Sequence, residues 1–234
     1  MKDNIELLNY TIPQLLRWRV KETGTKVALR EKDFGYWNNY TWNDYYEYVK
    51  KVALGLEKVG VKKGDKLALI GDNIPEMLFM AIGAQSIGAV SAGIYQTTLP
   101  DEIDQLINYM DVTAVFCNDQ EQVDKLVDIR ERIPQVRKVI YEDPRGMRSY
   151  RSDDWFLFIE DLYEIGAKAN AEDPERFDTL VDQASPDDVC HFCLTSGTTG
   201  LSKGSMMTHK NYINMGIQIA KVDKLEDTDE YLSF

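Results

Sequence analysis

The chain has 234 residues, of which 44% are hydrophobic and 28% are charged, and its formal net charge is -12. These values exclude a disordered chain and are typical of one large or two small globular domains. The acidic balance argues against a nucleic-acid backbone as partner, because phosphate contacts need clustered Lys and Arg, and it disfavours an anionic lipid surface.

Compartment can be inferred from the cysteines and from the apolar runs. The three cysteines (Cys117, Cys190 and Cys193) form an odd, small set, and no secretory signal is visible in residues 1–10. Such usage is typical of a reducing compartment. No apolar run approaches the roughly 20 residues of a spanning helix. We therefore expect a cytoplasmic protein without a transmembrane segment, and peripheral membrane association is left open.

The first 60 residues are expected to form a helix, a hairpin and a second helix. Thr11 can cap a helix that contains Pro13 in its first turn. The alternating run 26–31 and the aromatic run 36–42 are expected to pair across a short turn. Apolar residues then recur at helical spacing from Thr41 onward, and that helix should end at Gly60.

A regular rhythm of strands and helices occupies residues 61–141. Strands are expected at 66–70, 89–95, 112–117 and 136–141, and helices at 75–87, 100–110 and 120–132. Short apolar strands that alternate with helices indicate β-α-β units and a mostly parallel sheet. The predicted fold class is therefore α/β, with this stretch as its first parallel-sheet subdomain.

The rhythm stops at residues 142–187, which are rich in charge and contain Asp-Pro and Ser-Pro steps. We expect a long connection on the surface, with at most short helices at 155–162 and 176–181. Residues 188–234 should then contain a strand, a loop and a helix at 208–220. The final residues 231–234 resemble the start of a further strand.

The most informative stretch is the loop that follows the strand at 188–194. Hydroxyl side chains and glycines dominate it, and one lysine lies near its end: Thr195, Ser196, Gly197, Thr198, Thr199, Gly200 and Lys203. Glycines let backbone N–H groups converge on an anion, Ser and Thr add donors, and lysine adds positive charge. The pattern is neither a Walker A loop nor G-x-G-x-x-G. We interpret it as a polyphosphate-binding loop, and an ordinary polar turn is the alternative.

Other chemistry-bearing residues are weaker candidates. Cys190 and Cys193 form a C-x-x-C pair, but residues three apart in a strand point to opposite faces, so core packing is favoured over metal binding. His209 begins the helix after the loop and could contact phosphate, or could cap the helix or lie at the surface. Asp72 and Glu76 follow a strand end, where ordinary loop and helix positions are favoured over a catalytic carboxylate pair.

The loop resembles the signature of the adenylate-forming superfamily, which includes acyl-CoA synthetases, luciferases and non-ribosomal adenylation domains. Its usual form is Tyr-Thr-Ser-Gly-Thr-Thr-Gly-x-Pro-Lys-Gly, and the departure here is Ser202 in place of Pro. The runs at 64–66, 71–76, 88–95 and 207–211 also resemble the family. Within it, the chain is most similar to long-chain fatty acid:CoA ligases.

That resemblance implies a function and its cofactors. The loop from Thr195 to Lys203 would hold the β- and γ-phosphates of ATP with Mg²⁺, fatty acid and ATP would form an acyl-adenylate, and coenzyme A would displace AMP. Family members are usually more than twice as long. The expectation is therefore an N-terminal part of such a ligase, with an incomplete AMP-binding core at 188–234 and no activity of its own.

Two alternatives stay open. The chain could be a non-catalytic interaction or dimerisation module, such as a homodimer, whose loop is vestigial, because an exposed apolar sheet face usually finds a partner. It could also belong to a different ATP-using transferase with an analogous loop.

Overall fold

A seven-stranded sheet organises the computed structural model, which describes residues 4–195 and 203–233. The helices are α1 Asn4–Leu7, α2 Ile12–Thr23, α3 Trp42–Lys58, α4 Pro75–Ser86, α5 Pro100–Met110, α6 Gln120–Ile129, α7 Ile159–Glu172, α8 Arg176–Asp182 and α9 His209–Val222, with 3-10 turns at Arg130–Arg132 and Met147–Ser149. The strands are β1 Val27–Asp33, β2 Tyr36–Thr41, β3 Lys66–Ile70, β4 Val90–Ile94, β5 Ala114–Cys117, β6 Lys138–Tyr141, β7 Phe156–Phe158, β8 Val189–Thr195 and β9 Lys203–Thr208.

The strand order in the main sheet is β7-β6-β5-β3-β4-β8-β9, and β1 and β2 form a separate antiparallel hairpin. Every pairing in the main sheet is parallel except that of β8 with β9. Parallel strands require crossover connections; α4, α5 and α6 supply those between β3 and β6, and the one from β6 to β7 contains a 3-10 turn. The predicted α/β class is confirmed.

Local sequence signals account for the start of several helices. Thr11 and Thr41 each form a capping box, in which the threonine side chain accepts from the third helical residue and that residue accepts in return. The β1–β2 turn places Phe34 at φ 44° and Gly35 at φ 87°, as a two-residue hairpin turn requires. Strand β3 and helix α5 have the bounds that the sequence predicts.

Helices cover both faces of the sheet and enclose two apolar cores. One core joins α2, α3, α4, α7 and α8 to the sheet, with Phe79 and Phe116 fully buried in it. The other joins α5 and α6 to the opposite face, around Ile107 and Leu126. Each strand between the helical layers is therefore buried on both faces, which is why β3, β4 and β5 read as apolar runs.

The expected surface connection at residues 142–187 is wrong for residues 156–182, which form a strand and two helices. Strand β7 extends the main sheet beside β6, and α7 packs along α3. The close approach of these helices depends on glycine, because a Cβ on Gly55 would lie 2.6 Å from the Leu162 carbonyl oxygen. In α8, Phe177 and Val181 are buried. Exposed charged residues surround these buried positions, which made the segment resemble a loop.

The expected order after the loop also needs correction. The sequence led us to expect a helix after it, but strand β9 comes first and pairs antiparallel with β8. Only then does α9 begin, with Thr208 as its cap. The strands drawn from 61–141 and from 188–234 lie in one sheet, since β8 pairs with β4.

Candidate functional site

The candidate phosphate loop joins the two strands of a hairpin. Strand β8 ends at Thr195, strand β9 begins at Lys203, and these two residues are paired across the hairpin. The predicted site residues Ser196, Gly197, Thr198, Thr199 and Gly200 lie outside the described residues. The structure therefore describes both stems of the loop.

The stems lie at the carboxyl edge of the parallel sheet. Strand β8 runs parallel to β4, with Ser91 opposite His191 and Ala92 opposite Phe192. Thr195 therefore lies at the same edge as the carboxyl ends of β3 and β4. Ligands of open α/β sheets bind outside the carboxyl ends of the strands, so the loop occupies the expected position for a binding site.

A buried polar network holds β8 against β4. The Ser91 hydroxyl donates to the Cys190 carbonyl oxygen at 3.2 Å and lies 2.8 Å from Nδ1 of His191. Nε2 of Gln85 donates to the same hydroxyl oxygen at 3.2 Å. Burial lowers the pKa of His191, which favours the neutral ring. Sequence reasoning gave His191 no role, because its partners come from a strand one hundred residues away.

The second stem has an anchor from helix α5. The backbone N–H of Gly204 donates to Oη of Tyr109 at 3.4 Å. A Cβ at position 204 would lie 3.4 Å from the Tyr109 ring and 3.5 Å from the Phe192 ring. Tyr109 is thus a positioning residue for the start of β9, and nothing in the local sequence around it indicated this contact.

His209 is a buried hydrogen-bond acceptor. Only 2% of its surface is exposed, and its Nδ1 accepts from the backbone N–H of Ile12 at 3.2 Å. Burial lowers the pKa of His209 to about 4, against a smaller opposing effect of Asp188. A neutral, enclosed ring fits neither the surface position nor the phosphate contact considered above. It instead ties the start of α2 to the start of α9.

The C-x-x-C pair divides between the two faces of β8. Cys190 is buried and donates from Sγ to the Met207 carbonyl oxygen at 3.4 Å, and burial raises its pKa to about 12. Cys193 is exposed. The expectation of opposite faces is therefore confirmed, and core packing is right for Cys190 and wrong for Cys193. The buried thiol of Cys190, with its raised pKa, is typical of an inert cysteine rather than a reactive one.

Glu76 is the carboxylate with the most unusual environment, and Asp72 is not its partner. Burial, with smaller contributions from the carboxylates of Glu31, Glu142 and Glu160, raises the pKa of Glu76 to about 7. Asp72 is exposed, and its backbone N–H lies 3.4 Å from the Asn118 side-chain oxygen. The structure thus does not join Asp72 and Glu76 into a catalytic pair.

Neither a metal-binding cluster nor a membrane-spanning helix occurs in the described ranges 4–195 and 203–233. No group of three His, Cys, Asp or Glu side chains there is placed to hold a metal ion. None of the helices there is long and apolar enough to cross a membrane.

Comparison with known proteins decides the family. A family model described as AMP-binding enzyme matches residues 16–234. The chain belongs to the AMP-binding enzyme family. This assignment confirms the resemblance drawn from the loop signature, and the relatives confirm its direction toward acyl-CoA ligases.

The relatives and solved structures agree with each other. Long-chain-fatty-acid–CoA ligase ACSBG1 of Rattus norvegicus is 29% identical over 205 residues, which are 87% of this chain and 28% of that protein. The anthranilate CoA ligase AuaEII, solved with anthranoyl-AMP, aligns with TM-score 0.77 and 21% identity over 95% of this chain and 39% of its own. The long-chain-fatty-acid–CoA ligase FadD1 of Archaeoglobus fulgidus aligns with TM-score 0.76 and 17% identity, over 94% and 41%. The chain spans less than a third of the length of the rat ligase ACSBG1.

Proposed function

We propose that this chain contributes the polyphosphate-binding loop of an ATP-dependent long-chain fatty acid:CoA ligase. The observation that carries the proposal is the position of the Thr195–Lys203 hairpin at the carboxyl edge of the sheet, combined with the loop's glycine and hydroxyl composition. The relatives named as fatty acid ligases support the substrate class. AuaEII, solved with an acyl-adenylate, supports the adenylating chemistry.

In the proposed reaction, a fatty acid carboxylate oxygen attacks the α-phosphorus of ATP. A new P–O bond forms, the bond to the β-phosphate oxygen breaks, and pyrophosphate leaves with its negative charge. Backbone N–H groups, the hydroxyls of Thr195 to Thr199 and the Lys203 ammonium would stabilise that charge. The loop therefore contributes positioning and electrostatic stabilisation rather than a covalent step. The coenzyme A thiol then attacks the acyl carbonyl, and AMP leaves.

Mg²⁺ is proposed as a companion of the nucleotide. No cluster of acidic ligands is available among the residues that the structure describes. Magnesium often reaches nucleotide sites held mainly by phosphate oxygens and water, with few protein ligands. Hydroxyls of the loop fit that limited role.

A cytoplasmic location is proposed as well, because all three cysteines are free thiols.

The proposal is tested by the nucleotide preference of the 234-residue chain. Binding of ATP, pyrophosphate and AMP is measured by titration calorimetry in the presence of Mg²⁺. A loop that grips the β- and γ-phosphates should bind ATP, should release it to competing pyrophosphate, and should bind AMP at least tenfold more weakly. Lys203→Ala should weaken ATP binding about tenfold or more, because it removes a direct charge on phosphate.

Lys210→Ala is the matched control. Lys210 lies on α9, seven residues from Lys203, and its ammonium is 3.9 Å from Asp187 at the surface. ATP affinity should stay within twofold in this variant. Equal affinity for AMP and ATP, or equal loss in the two lysine variants, would sink the polyphosphate assignment.

The complete reaction is a separate question. Because the chain spans 28% of the rat relative, we expect no sustained pyrophosphate release from it with ATP, Mg²⁺, palmitate and coenzyme A. Turnover at ordinary enzymatic rates, about 1 per second or faster, would show that these residues suffice.

An interaction module, such as a homodimer, is the second candidate, and the exposed side of the β8–β9–α9 region favours it. Met206 on the edge strand is 64% exposed, and Met215 and Ile219 on α9 are 46% and 47% exposed. Unpaired strand edges and apolar patches commonly meet a partner. Light scattering of the purified chain tests this candidate. A monomer at roughly 100 µM would contradict it.

A further inference from the structure

A second cleft lies at the opposite edge of the sheet from the loop. It has a volume of about 400 Å³ and opens between α8 and the two turns that lead into β3 and β4. The backbone N–H of Gly64 donates to the Gly88 carbonyl oxygen at 2.9 Å and joins these turns. A strand of five residues separates the two edges by roughly 17 Å, so this cleft is distinct from the proposed nucleotide site.

The floor of the cleft is apolar. Val61 and Ile87 come from the turns before the strands and are 4% and 6% exposed, and Leu180 of α8 closes the opposite wall. All three belong to the edge of the core that α3, α4 and α8 share. Because they are already packed, this floor is preformed and can receive a short alkyl group without rearrangement.

The rim of the cleft carries positive charge. Three cationic side chains line it, Lys62, Lys63 and Arg176, against two carboxylates, that of Glu57 in the lining and that of Asp188 beside Lys63. This local excess contrasts with the net charge of -12 for the chain. An anion that is repelled by most of the surface would therefore be favoured here.

The cations differ in what holds them. Nε of Arg176 donates to both carboxylate oxygens of Glu57 at 3.2 Å, so the guanidinium is fixed in the wall. Nζ of Lys63 lies 3.3 Å from Asp188. Lys62 makes no ion pair within the described part of the chain, where its backbone N–H, but not its ammonium, bonds to Asp65. Lys62 is thus the group most available for a ligand's charge.

We propose that this cleft binds a small amphiphilic anion, with one acidic headgroup at Lys62 and Lys63 and a short alkyl body on Val61, Ile87 and Leu180. The headgroup could be a carboxylate or a phosphate monoester, which share this chemistry. The inference does not depend on the proposed ligase activity, since none of these residues belongs to the loop.

The experiment compares four probes on the 234-residue chain by ligand-observed NMR and titration calorimetry. Octanoate and octyl phosphate carry both features, octanol has the alkyl body alone, and inorganic phosphate has the charge alone. Both anionic octyl probes should bind at least tenfold more tightly than octanol and phosphate. A preference between octanoate and octyl phosphate identifies the headgroup. Binding of octanol equal to that of octanoate, or of phosphate equal to that of octyl phosphate, would overturn the proposal.

Two variants locate the site. The double charge reversal Lys62→Glu with Lys63→Glu should weaken binding of the anionic probes at least tenfold. Lys168→Glu is its control, because Lys168 is an exposed lysine of α7 whose ammonium is 3.8 Å from Glu164. Equal loss in control and double variant would contradict the assignment. If the double variant changes the circular dichroism spectrum, Gln183→Trp replaces it as the test. Gln183 is exposed and lines the cleft, so tryptophan at this position should fill the cleft. Unchanged affinity of this variant for the anionic octyl probes would overturn the proposal.

Discussion

Two helices of similar length show how unevenly this molecule is packed. Helix α3 buries seven residues, including Val49, Val52 and Leu56, whereas α9 buries only His209 and Ile213. The first lies between α4 and α7 in the larger core, and the second covers the strand that follows the candidate loop. The buried residues are therefore concentrated in the layer of α3 and α7, whereas few buried residues lie beside the stems of the candidate loop. Loops that bind ligands are commonly drawn from such regions.

The largest effect is expected where α3 and α7 touch. A Cβ at position 166 would overlap the Lys51 carbonyl oxygen, which is backbone and cannot move aside. Gly166→Ala must therefore separate the helices, and we expect it to lower the free energy of unfolding by about 3 kcal/mol. Urea denaturation followed by circular dichroism measures the change.

The matched substitution is Gly216→Ala in α9. No atom lies within 4 Å of a Cβ built there. Alanine has the higher helix propensity, so this variant should raise the free energy of unfolding by about 0.5 kcal/mol. Equal and large losses in both glycine variants would show that the two helices are packed alike and would break the comparison.

The next effect is the change in the free energy of unfolding with pH that Glu76 causes. Its pKa in the folded chain is raised from 4.5 to about 7, so the folded state binds more protons than the unfolded state between those values. Stability from this group is therefore lost as pH rises from about 4.5 to 7, by about 2 kcal/mol after allowance for partial solvation. Glu76→Gln should be more stable than the original chain at pH 8 by that amount.

The measurement is the difference in unfolding free energy between the variant and the original chain, taken at intervals from pH 4 to 8. The exposed carboxylate variant Glu22→Gln is the control, and its difference should stay within a few tenths of a kcal/mol. A flat difference for Glu76→Gln would mean that Glu76 is solvated like its control.

The smallest of these effects is the pH dependence of stability from His209 at the start of α9, and it has the opposite sign. Burial lowers the pKa of His209 from 6.5 to about 4, so here the unfolded state binds more protons. The contribution of His209 is lost as pH falls from 6.5 to 4, by somewhat under 2 kcal/mol, because the folded state is still only partly protonated at pH 4. His209→Gln cannot titrate, so its deficit relative to the original chain should shrink toward acid.

Lys210→Gln, at the next position but exposed, controls for His209. Its difference from the original chain should be level between pH 4 and 7. Since Glu76 and His209 act in opposite directions over overlapping ranges, the original chain should show a flatter profile than either variant. A profile steeper than both would refute the compensation.

Prediction from sequence succeeded where the signal was local. The cap Thr11, the start of a helix at Thr41, strand β3 and helix α5 were all predicted from neighbouring residues. It failed for β7, because three residues are too few to show the alternation of a strand. It also failed for β9, which pairs with β8 on the other side of the glycine-rich loop. Both strands exist because another strand offers them hydrogen bonds.

The candidate site divides in the same way. Its residue types, from Thr195 to Lys203, were visible in the sequence, because anion binding needs glycines, hydroxyls and a cation close together in the chain. The supports of its stems were invisible. Ser91, His191 and Tyr109 act across roughly one hundred residues of chain, and no periodicity reports such contacts.

The sequence by itself determined the α/β class, most helices, the residue types of the candidate loop and the family to which the chain belongs. Tertiary structure alone decided that α7 and α8 contribute buried residues to the core, that His209 is a buried acceptor, and that the pKa of Glu76 is raised. The physical reason is that burial and long-range pairing depend on which surfaces meet. Propensity, capping and glycine content act within a few residues, whereas desolvation and strand pairing are set by the whole packed sheet.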